Sequence, residues 1–355
     1  MQAICLETVG SPLVDCEVPD PVAGSGDVVV RVSAAGICHS DAHYRAGTSR
    51  VGFVPIVLGH EVAGVVESLG EDVEAISVGT RVALHYLVGC GHCPHCAAGR
   101  EAFCDKVQML GKNRHGGFAE QVVVPASNVI PIPDGVSDEV AAIMMCSTAT
   151  ALHALRKARF CPGDSVAVFG CGGLGISAVH LAAALGAGPV FAVDTSRVKL
   201  DRAAAAGAHP VNPNEHDAAN TILAATGRRG VDVSLEFVGR PTTVDACIRA
   251  TGVQGRAAMV ALMDVPAPVY TYRDLIAREV ELIGVSDHLR ADAVAVLSLA
   301  ASGSLRLSNV VTRKVPREAR AINDVLDALV SGTGEQRVVV DGTARLVEPR
   351  FASQP

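Results

Sequence analysis

Near the middle of the chain the sequence reads Val166-Ala-Val-Phe-Gly-Cys-Gly-Gly-Leu-Gly175. A four-residue apolar run, Val166–Phe169, leads directly into a glycine-rich loop and then into the helical pattern Leu174–Leu185. Gly170, Gly172 and Gly175 have the spacing Gly-x-Gly-x-x-Gly. This glycine spacing is common by itself, but a strand before it and a helix after it predict a dinucleotide-binding turn.

The three glycines have different physical tasks in such a turn. Gly170 makes the tight bend, Gly172 lets the backbone approach a pyrophosphate, and Gly175 lets the helix pack closely on the strand. The helix then presents free backbone amides at its N-terminus, those of Gly173 and Leu174 among them, and such amides bind phosphate oxygens.

The choice of dinucleotide depends on an acidic residue after the next strand. Asp194 lies nineteen residues after Gly175, at the end of the strand candidate Pro189–Val193. Its carboxylate can accept hydrogen bonds from both adenosine ribose hydroxyls and would repel a 2′-phosphate, so NAD is favoured over NADP. Arg197 and Lys199 keep NADP open, although both also suit the solvent face of a helix.

Strand and helix patterns alternate on both sides of this turn. Apolar strands separated by amphipathic helices predict an α/β domain, a parallel sheet with helices on both faces. The uncharged run 165–193 has the length of a membrane helix, but six glycines and Pro189 divide it, so no membrane span is expected. The further strand candidates are Val231–Phe237, Ala257–Leu262 and Val280–Gly284, and the further helix candidates are Arg197–Ala206 and Pro241–Thr251.

The first part of the chain has a different pattern. Short apolar runs separated by Gly, Pro, Asp and Asn predict a β-rich domain over residues 1–147. A helical pattern over Cys146–Ala158 joins it to the dinucleotide-binding domain, residues 148–286. Residues 287–355 contain two helix patterns and a strand-like end, and we expect this tail to return to the first domain. The runs are Asp27–Val32, Glu61–Ser68, Arg81–Leu84 and Phe118–Val124, and the tail elements are Ala291–Ser302, Pro316–Val330 and Gln336–Asp341.

The totals exclude several classes of protein. With 355 residues, the chain is long enough for two domains, and its net charge of −7 without a basic run argues against a nucleic-acid partner. No signal peptide is evident, so eleven cysteines indicate a reducing compartment, the cytoplasm, where clustered thiolates bind metal. Five cysteines match no ligand motif and are expected to be ordinary thiols: Cys5, Cys16, Cys161, Cys171 and Cys247.

Four other cysteines form a compact cluster in the sequence. Their spacing, Cys-x2-Cys-x2-Cys-x7-Cys, lets successive thiolates turn around one centre, and four sulfurs complete a closed, structural zinc site. An iron–sulfur cluster also uses four thiolates, but its common motifs have other spacings. His92 and His95 are alternative ligands in principle. The four cysteines are Cys90, Cys93, Cys96 and Cys104.

A second group of metal-ligating residues is spread along the chain. Gly36-Ile-Cys-His-Ser-Asp-Ala-His43 contains a thiol and two imidazoles, and Gly59-His60-Glu61 follows an apolar run. Cys38, His60 and either Cys146 or Glu61 would leave one position open for water or substrate, as a catalytic zinc site requires. Spacing alone does not pair residues so far apart, and a buried core thiol remains the alternative for Cys146.

With these motifs in their order, residues 1 to about 341 resemble the zinc-dependent alcohol dehydrogenases of the medium-chain dehydrogenase/reductase family. The resemblance implies a GroES-like, β-rich catalytic domain, formed by the N-terminal half and the C-terminal tail, with an inserted Rossmann domain. It also implies an active site in the cleft between the two domains, two zinc ions per subunit, NAD as cofactor, and a homodimer or homotetramer.

The resemblance assigns roles residue by residue. Cys38, His60 and Cys146 match the catalytic zinc ligands, Glu61 the adjacent carboxylate, and Asp41 the carboxylate that orients the ligand histidine. Ser40 and His43 match the proton relay. Tyr86 is similar to an aromatic of the substrate pocket. Residues similar to cofactor contacts are His39 at a phosphate, Thr150 at the nicotinamide, Val238 and Arg240 at a strand-end turn, and Arg337 at the pyrophosphate.

The function implied is hydride transfer between a primary or secondary alcohol and NAD+, giving an aldehyde or a ketone. Two alternatives remain at this point. A reductase of the same family would act on an imine, an enone or a sugar-like ketone. A zinc-stabilised binding protein would keep the four-cysteine cluster but would have no use for the relay and the open metal site together.

Overall fold

We describe a computed structural model of the chain, which covers residues 1–263, 265–307, 309–333 and 337–342. The chain forms two compact units. Unit one contains residues 1–97, 103–145 and the described residues from Val311 onward; unit two contains residues 98–102 and the described residues from Cys146 to Val310. The chain therefore passes from unit one into unit two between Met145 and Cys146.

Unit one is built on a seven-stranded sheet. Its central strand, Asp27–Ile37, pairs antiparallel with Glu61–Leu69 on one side and with Val338–Asp341 on the other. The remaining strands of this sheet are Arg81–Leu84, Gln121–Pro125, Val129–Pro131 and Arg313–Pro316. A three-stranded sheet contains Gln2–Leu6, Val14–Glu17 and Ile56–Val57, and Leu87–Val88 pairs with Gln108–Met109. The helices are His39–Ala46, Pro94–Ala97, Asp138–Ile143 and Ala319–Val330, with a short 3₁₀ turn at Ala126–Asn128; a second 3₁₀ turn, Glu101–Phe103, includes the change from unit two to unit one.

Unit two is a six-stranded parallel sheet. Numbered along the unit, its strands lie in the order 3-2-1-4-5-6, the Rossmann order that places ligands at the carboxyl ends of the strands. The strands in sequence are Val166–Phe169, Val190–Val193, His209–Val211, Val231–Glu236, Thr251–Met259 and Glu281–Gly284. The helices are Ala149–Lys157, Gly173–Ala184, Arg197–Ala205, Ala218–Ala225, Pro241–Ala250 and Arg290–Ala301, with a π-helical turn at Thr271–Ile276; the π-helical turn Met144–Thr148 includes the change from unit one to unit two.

The strands of unit two form because their residues are apolar on both faces. Val166, Val168 and Phe169 are fully or almost fully buried, as expected for a central parallel strand covered by helices on both sides. The uncharged run 165–193 becomes a strand, a helix and a second strand. Among the described residues, no helix is both long and apolar enough to cross a membrane. The predicted fold class, a β-rich domain with a Rossmann domain, is confirmed.

The tail returns to unit one later than predicted. We expected the return from residue 287, but the described residues up to Val310 belong to unit two. Helix Arg290–Ala301 packs on helix Ala149–Lys157, and its buried Ala293, Val296 and Leu297 complete that unit. Amphipathic periodicity indicates that a helix has a buried face but does not identify the element that covers this face. The predicted strand end at Gln336 lies outside the described residues, and the strand itself is Val338–Asp341.

Two cysteines predicted to be ordinary thiols are paired. Cys5 and Cys16 lie on neighbouring antiparallel strands with their Cα atoms 6.0 Å apart and form a disulfide. The prediction is wrong for this pair because the hairpin brings together residues whose spacing matches no motif. The remaining nine cysteines form no disulfide in the described structure.

Candidate metal and dinucleotide sites

The four-cysteine cluster closes around one point. The sulfurs of the four residues lie within 4.8 Å of one another. A zinc ion with Zn–S bonds of about 2.3 Å would hold four sulfurs roughly 3.8 Å apart, so this donor set fits zinc. Backbone amides of the loop also point at sulfur: the Cys90 amide donates to Cys104 Sγ and the Cys96 amide to Cys93 Sγ, each at 3.4 Å.

The local backbone changes the acidity of these thiols. Backbone hydrogen bonds from His92 and Cys93 lower the pKa of the Cys90 thiol to about 6, so this residue is prepared to act as a thiolate. Burial raises the pKa of the neighbouring Cys96 thiol to about 12. The loop amides thus favour the thiolate at Cys90, whereas burial disfavours it at Cys96.

The second group of ligands is also assembled. One ligand atom from each of Cys38, His60, Glu61 and Cys146 lies within 4.8 Å of the others, and all four residues are buried. Cys146 lies in the π-helical turn Met144–Thr148, where the chain leaves unit one. Two sulfurs, an imidazole and a carboxylate suit zinc, and a site with three protein ligands keeps a position for substrate.

The Asp41 side chain holds two of these ligands, Cys38 and His60, in position. Its Oδ2 atom accepts the backbone amide of Cys38 at 2.9 Å, which closes the start of helix His39–Ala46. Its Oδ1 atom accepts the Gly59 amide and lies 3.3 Å from His60 Nδ1. Burial alone would lower the pKa of His60, but Asp41 raises it well above the ordinary value. Because Nδ1 lies against Asp41, Nε2 is the ring nitrogen that would bind a metal.

Glu61 is held by an ion pair that sequence reasoning missed. Its carboxylate contacts the guanidinium of Arg337, and both side chains are buried. Glu61 is the first residue of a strand that pairs with Asp27–Ile37, and Arg337 directly precedes Val338–Asp341, the strand that pairs on the other side; Gly36 is paired with Glu61 in the register. A side chain at Gly36 would collide with the Glu61 carboxylate, so the ion pair requires glycine at this position.

The Arg337 side chain is only 3% exposed and contacts Glu61, and its assignment to the pyrophosphate stays a prediction. Burial raises the pKa of Glu61 to about 7, and Arg337 opposes this shift. Burial thus favours the neutral carboxyl group, whereas the Arg337 guanidinium favours the carboxylate that would bind a metal.

The residues assigned to the proton relay and the substrate lie around this group. Ser40 is half-buried in the first turn of helix His39–Ala46, and His43 is exposed, with Nδ1 3.0 Å from Thr48 Oγ1. The rings of His39 and His43 lie 4.9 Å apart. Tyr86 is buried, and its ring contacts His60 edge-on at 5.1 Å between centroids.

In unit two, the glycine-rich loop has the features that a dinucleotide requires. Gly170 has a left-handed backbone with φ of 91°. A Cβ atom on Gly175 would overlap the Gly170 carbonyl, so helix and strand approach as closely as glycine permits. A Cβ atom on Gly172 would meet no protein atom, which leaves open space before the helix that begins at Gly173. This space and the amides of Gly173 and Leu174 fit a pyrophosphate.

Asp194 connects this loop to the following strand. Its Oδ2 atom accepts the Cys171 amide and its Oδ1 atom accepts the Ser196 amide, both at 2.8 Å. The carboxylate is thereby held at the end of Val190–Val193, where it can still accept ribose hydroxyls. Arg197 forms an exposed ion pair with Asp201 on the same helix, as expected for a solvent face. Lys199 is half-buried.

A buried glutamate shapes the second turn assigned to the cofactor. Glu236 accepts the amides of Val238 and Gly239 at 3.0 Å and the hydroxyl of Thr243 at 2.7 Å. Val238 and Arg240 remain exposed on this turn. Nothing in the sequence motif indicated Glu236, although its position, the last residue of a strand before Gly239, is where a turn needs a hydrogen-bond acceptor.

Thr150 is the remaining residue assigned to the cofactor, and it has an unpredicted partner. It is buried in the first turn of helix Ala149–Lys157, with Oγ1 3.3 Å from Nδ1 of His288. A groove of about 510 Å³ lies elsewhere on this unit and contains none of the predicted site residues. The groove is lined by Leu152, Leu155, Arg156, Phe160, Leu185, Ala295, Ser298 and Leu299.

Comparison with known proteins agrees with both parts of this description. The family described as Alcohol dehydrogenase GroES-like domain matches residues 24–134, and the family described as Zinc-binding dehydrogenase matches residues 173–302. An alcohol dehydrogenase of Geobacillus stearothermophilus is 35% identical over 345 residues, which cover 96% of this chain and 99% of that protein.

Two further relatives show the same likeness. An NAD-dependent alcohol dehydrogenase of Sulfurisphaera tokodaii is 32% identical over 92% of this chain and 96% of its own length. The solved structure of alcohol dehydrogenase TADH from Thermus sp. ATN1 superimposes with a TM-score of 0.89 at 29% identity, covering 96% of this chain and 99% of that one. The chain is thus an oxidoreductase. It belongs to the zinc-dependent alcohol dehydrogenases of the medium-chain dehydrogenase/reductase family.

Proposed function

We propose that the chain is an NAD-linked, zinc-dependent dehydrogenase that interconverts a primary or secondary alcohol and its aldehyde or ketone. The observation that carries this proposal is the assembly of Cys38, His60, Glu61 and Cys146 as a second metal-ligating group beside the four-cysteine cluster. A protein that used zinc only for stability would need the four-cysteine cluster alone.

Each group has its own task in this proposal. The four-cysteine cluster holds a structural zinc ion, since four thiolates leave no position for substrate. Cys38, His60 and Cys146 hold the catalytic ion, and Asp41 orients the His60 ring. Glu61 lies beside these ligands, where its carboxylate would be available to the metal, and the buried ion pair with Arg337 holds it there.

The chemistry is divided between the bound groups and the side chains. Zinc supplies a Lewis acid for the alcohol oxygen, and NAD+ accepts the hydride. Ser40 takes the hydroxyl proton of the alcohol, and His43 releases it to solvent. Ser40 and His43 lie three residues apart on one helix, so their side chains share a face, and His43 is exposed.

NAD is the proposed dinucleotide. Gly172, Gly173 and Leu174 face the pyrophosphate, and Asp194 accepts the ribose hydroxyls. Two backbone amides already hold the Asp194 carboxylate in place, so a 2′-phosphate would be brought against a fixed negative charge. Arg197, the residue that would offset this charge, is paired with Asp201.

An assembly of two or four copies in the cytoplasm is part of the proposal. The edge strand Glu281–Gly284 has one unpaired side in the described structure. Large apolar side chains are exposed on the segment before it: Tyr272 is 73% exposed, Ile276 65% and Tyr270 56%. Exposed apolar residues beside an open sheet edge support association through this surface.

The proposal is tested by metal analysis and a substrate panel on the same preparation. We expect two zinc ions per chain and reduction of NAD+ with at least one alcohol or polyol, with NADP+ used less well. The Ser40→Ala variant should keep both zinc ions and lose most turnover. Two zinc ions with no turnover of any alcohol or polyol, but with reduction of an imine or an enone, would favour the reductase alternative.

A further inference from the structure

Three polar side chains form one row on the helix that follows the metal ligand Cys146. Thr150, His153 and Arg156 are spaced by three residues along helix Ala149–Lys157, so they lie on the same face. Each of them contacts the segment 288–292, which follows the last strand of the parallel sheet. The row therefore fixes a loop at the carboxyl ends of the strands, where dinucleotides bind in this fold.

Asp292 is the anchor of this contact. Its Oδ2 atom lies 2.8 Å from His153 Nδ1 and accepts the Leu289 amide at 2.9 Å, and its Oδ1 atom accepts Arg156 Nη1 at 2.5 Å. Asp292 also closes the first turn of helix Arg290–Ala301. These bonds hold Leu289 and Asp292 in place at the start of that helix. Because His288 directly precedes Leu289, they also restrict the position of His288.

His288 is completely buried and faces Thr150. Its exposed fraction is 0%, that of Thr150 is 6%, and Nδ1 lies 3.3 Å from Oγ1. A buried imidazole is costly unless it is hydrogen-bonded, and an apolar residue would fill the same space without that cost. A hydrogen bond to Thr150 restricts the rotation of its hydroxyl, which has donor and acceptor directions to set.

Thr150 closely follows the metal ligand Cys146 along the chain. It is four residues after Cys146, one helical turn along the chain. Two residues before it, Thr148 Oγ1 lies 3.2 Å from Ser177 Oγ, and Ser177 in turn bonds to Gly173 at the start of the glycine-loop helix. The reactive, nicotinamide end of a bound dinucleotide must lie near the metal ligands, so Thr150 is at that end.

We propose that His288 is a positioning residue that directs the Thr150 hydroxyl toward the nicotinamide of the bound dinucleotide. This proposal rests on the proposed function, because it needs an NAD-binding unit two. It predicts that the loss of His288 affects only the nicotinamide end of the ligand. ADP-ribose contains the rest of the dinucleotide and lacks the nicotinamide, so it separates the two ends.

The test measures NADH and ADP-ribose binding to the metal-loaded full chain by fluorescence and calorimetry. His288→Leu should weaken NADH binding by roughly 3- to 10-fold, the range of one neutral hydrogen bond, and leave ADP-ribose binding unchanged. His288→Asn, whose amide replaces Nδ1, should restore NADH binding. Thr150→Val should show the same loss as His288→Leu, and the double variant should show no further loss.

Thr226→Val is the matched control, since Thr226 is a buried threonine of the same unit whose hydroxyl, among the described residues, bonds only to two helix carbonyls and one backbone amide. It should leave the binding of both ligands unchanged. Equal losses of NADH and ADP-ribose binding in His288→Leu, an unchanged NADH affinity, or additive losses in the double variant would overturn the proposal. A wild-type chain that binds neither ligand would instead refute the proposed function.

Discussion

Replacement of Asp292 by Asn tests how much the buried polar row contributes to the stability of unit two. The substitution keeps the shape of the side chain and removes its charge. In the structure, the Asp292 side chain is 2% exposed and lies against His153, Arg156 and the Leu289 amide. An amide group can still accept one of these bonds, but its NH2 group would face a second donor.

The expected loss follows from these contacts. A hydrogen bond to a charged group contributes about 1.5–3 kcal/mol, and removing one partner of a buried ion pair costs about 3–5 kcal/mol. The Arg156 side chain is 50% exposed, so water screens part of its interaction. Because Asn retains one acceptor, we expect the free energy of unfolding of unit two to fall by about 2–4 kcal/mol.

The pH dependence of this difference has a definite sign. Burial alone would raise the pKa of Asp292, but bonds from His153, Leu289 and Arg156 lower it below the ordinary value of 3.8. A depressed folded pKa stabilises the folded state above the unfolded pKa, and this stability is lost as pH falls through the folded pKa. The difference between wild type and Asp292→Asn should therefore be the same at pH 7 and pH 5 and shrink only below pH 3.8.

The assay is urea denaturation with hydrogen exchange of the amides in helix Arg290–Ala301, because two units do not guarantee a single transition. Asp201→Asn is the control, since the Arg197–Asp201 pair is exposed and should contribute little. A loss below about 1 kcal/mol in Asp292→Asn, or a difference that disappears already at pH 5, would refute the reasoning.

Three further predictions concern the two candidate sites. Gly36→Ala should displace Glu61 and lower the free energy of unfolding by about 1–3 kcal/mol, because the added Cβ atom would collide with the Glu61 carboxylate. Gly284→Ala, at a position with open space, should have little effect, and thermal denaturation compares the two variants. Asp194→Ser should lower the NAD+ to NADP+ ratio of kcat/KM by at least about tenfold in steady-state assays, because the charge that repels a 2′-phosphate is removed. Cys104→Ser should reduce zinc from two ions to one by mass spectrometry and lower the melting temperature; unchanged values would contradict each prediction.

Local sequence patterns were sufficient for the elements that surround the sites. The strand Val166–Phe169 and the strand Arg81–Leu84 have the predicted bounds, and the helix after the glycine loop differs by one residue at each end. The four-cysteine cluster could be predicted because its ligands lie within fifteen residues, so the spacing alone restricts their geometry. In these cases the information is local.

The features that sequence reasoning missed depend on contacts between distant segments. The Glu61–Arg337 ion pair requires the register of three adjacent strands and the absence of a side chain at Gly36. No periodic pattern in the sequence indicates this ion pair. The Cys5–Cys16 disulfide similarly depends on hairpin register.

The hydrogen-bond partners of single polar residues also could not be predicted from the sequence. Resemblance placed Thr150 at the cofactor, but a lone histidine such as His288 carries no pattern that would connect it to a threonine so far away in the chain. The late return of the chain at Val311 has the same cause, because the partner of an amphipathic helix is set by the fold.

The most direct test of the central claim is the metal content and turnover of Cys146→Ser, measured on one preparation. Cys146 is the ligand that no local motif predicted, and the structure brings it to Cys38 and His60. We expect that zinc falls from two ions to one per chain, that alcohol oxidation is lost, and that ADP-ribose still binds. Two zinc ions with full activity in this variant would contradict it.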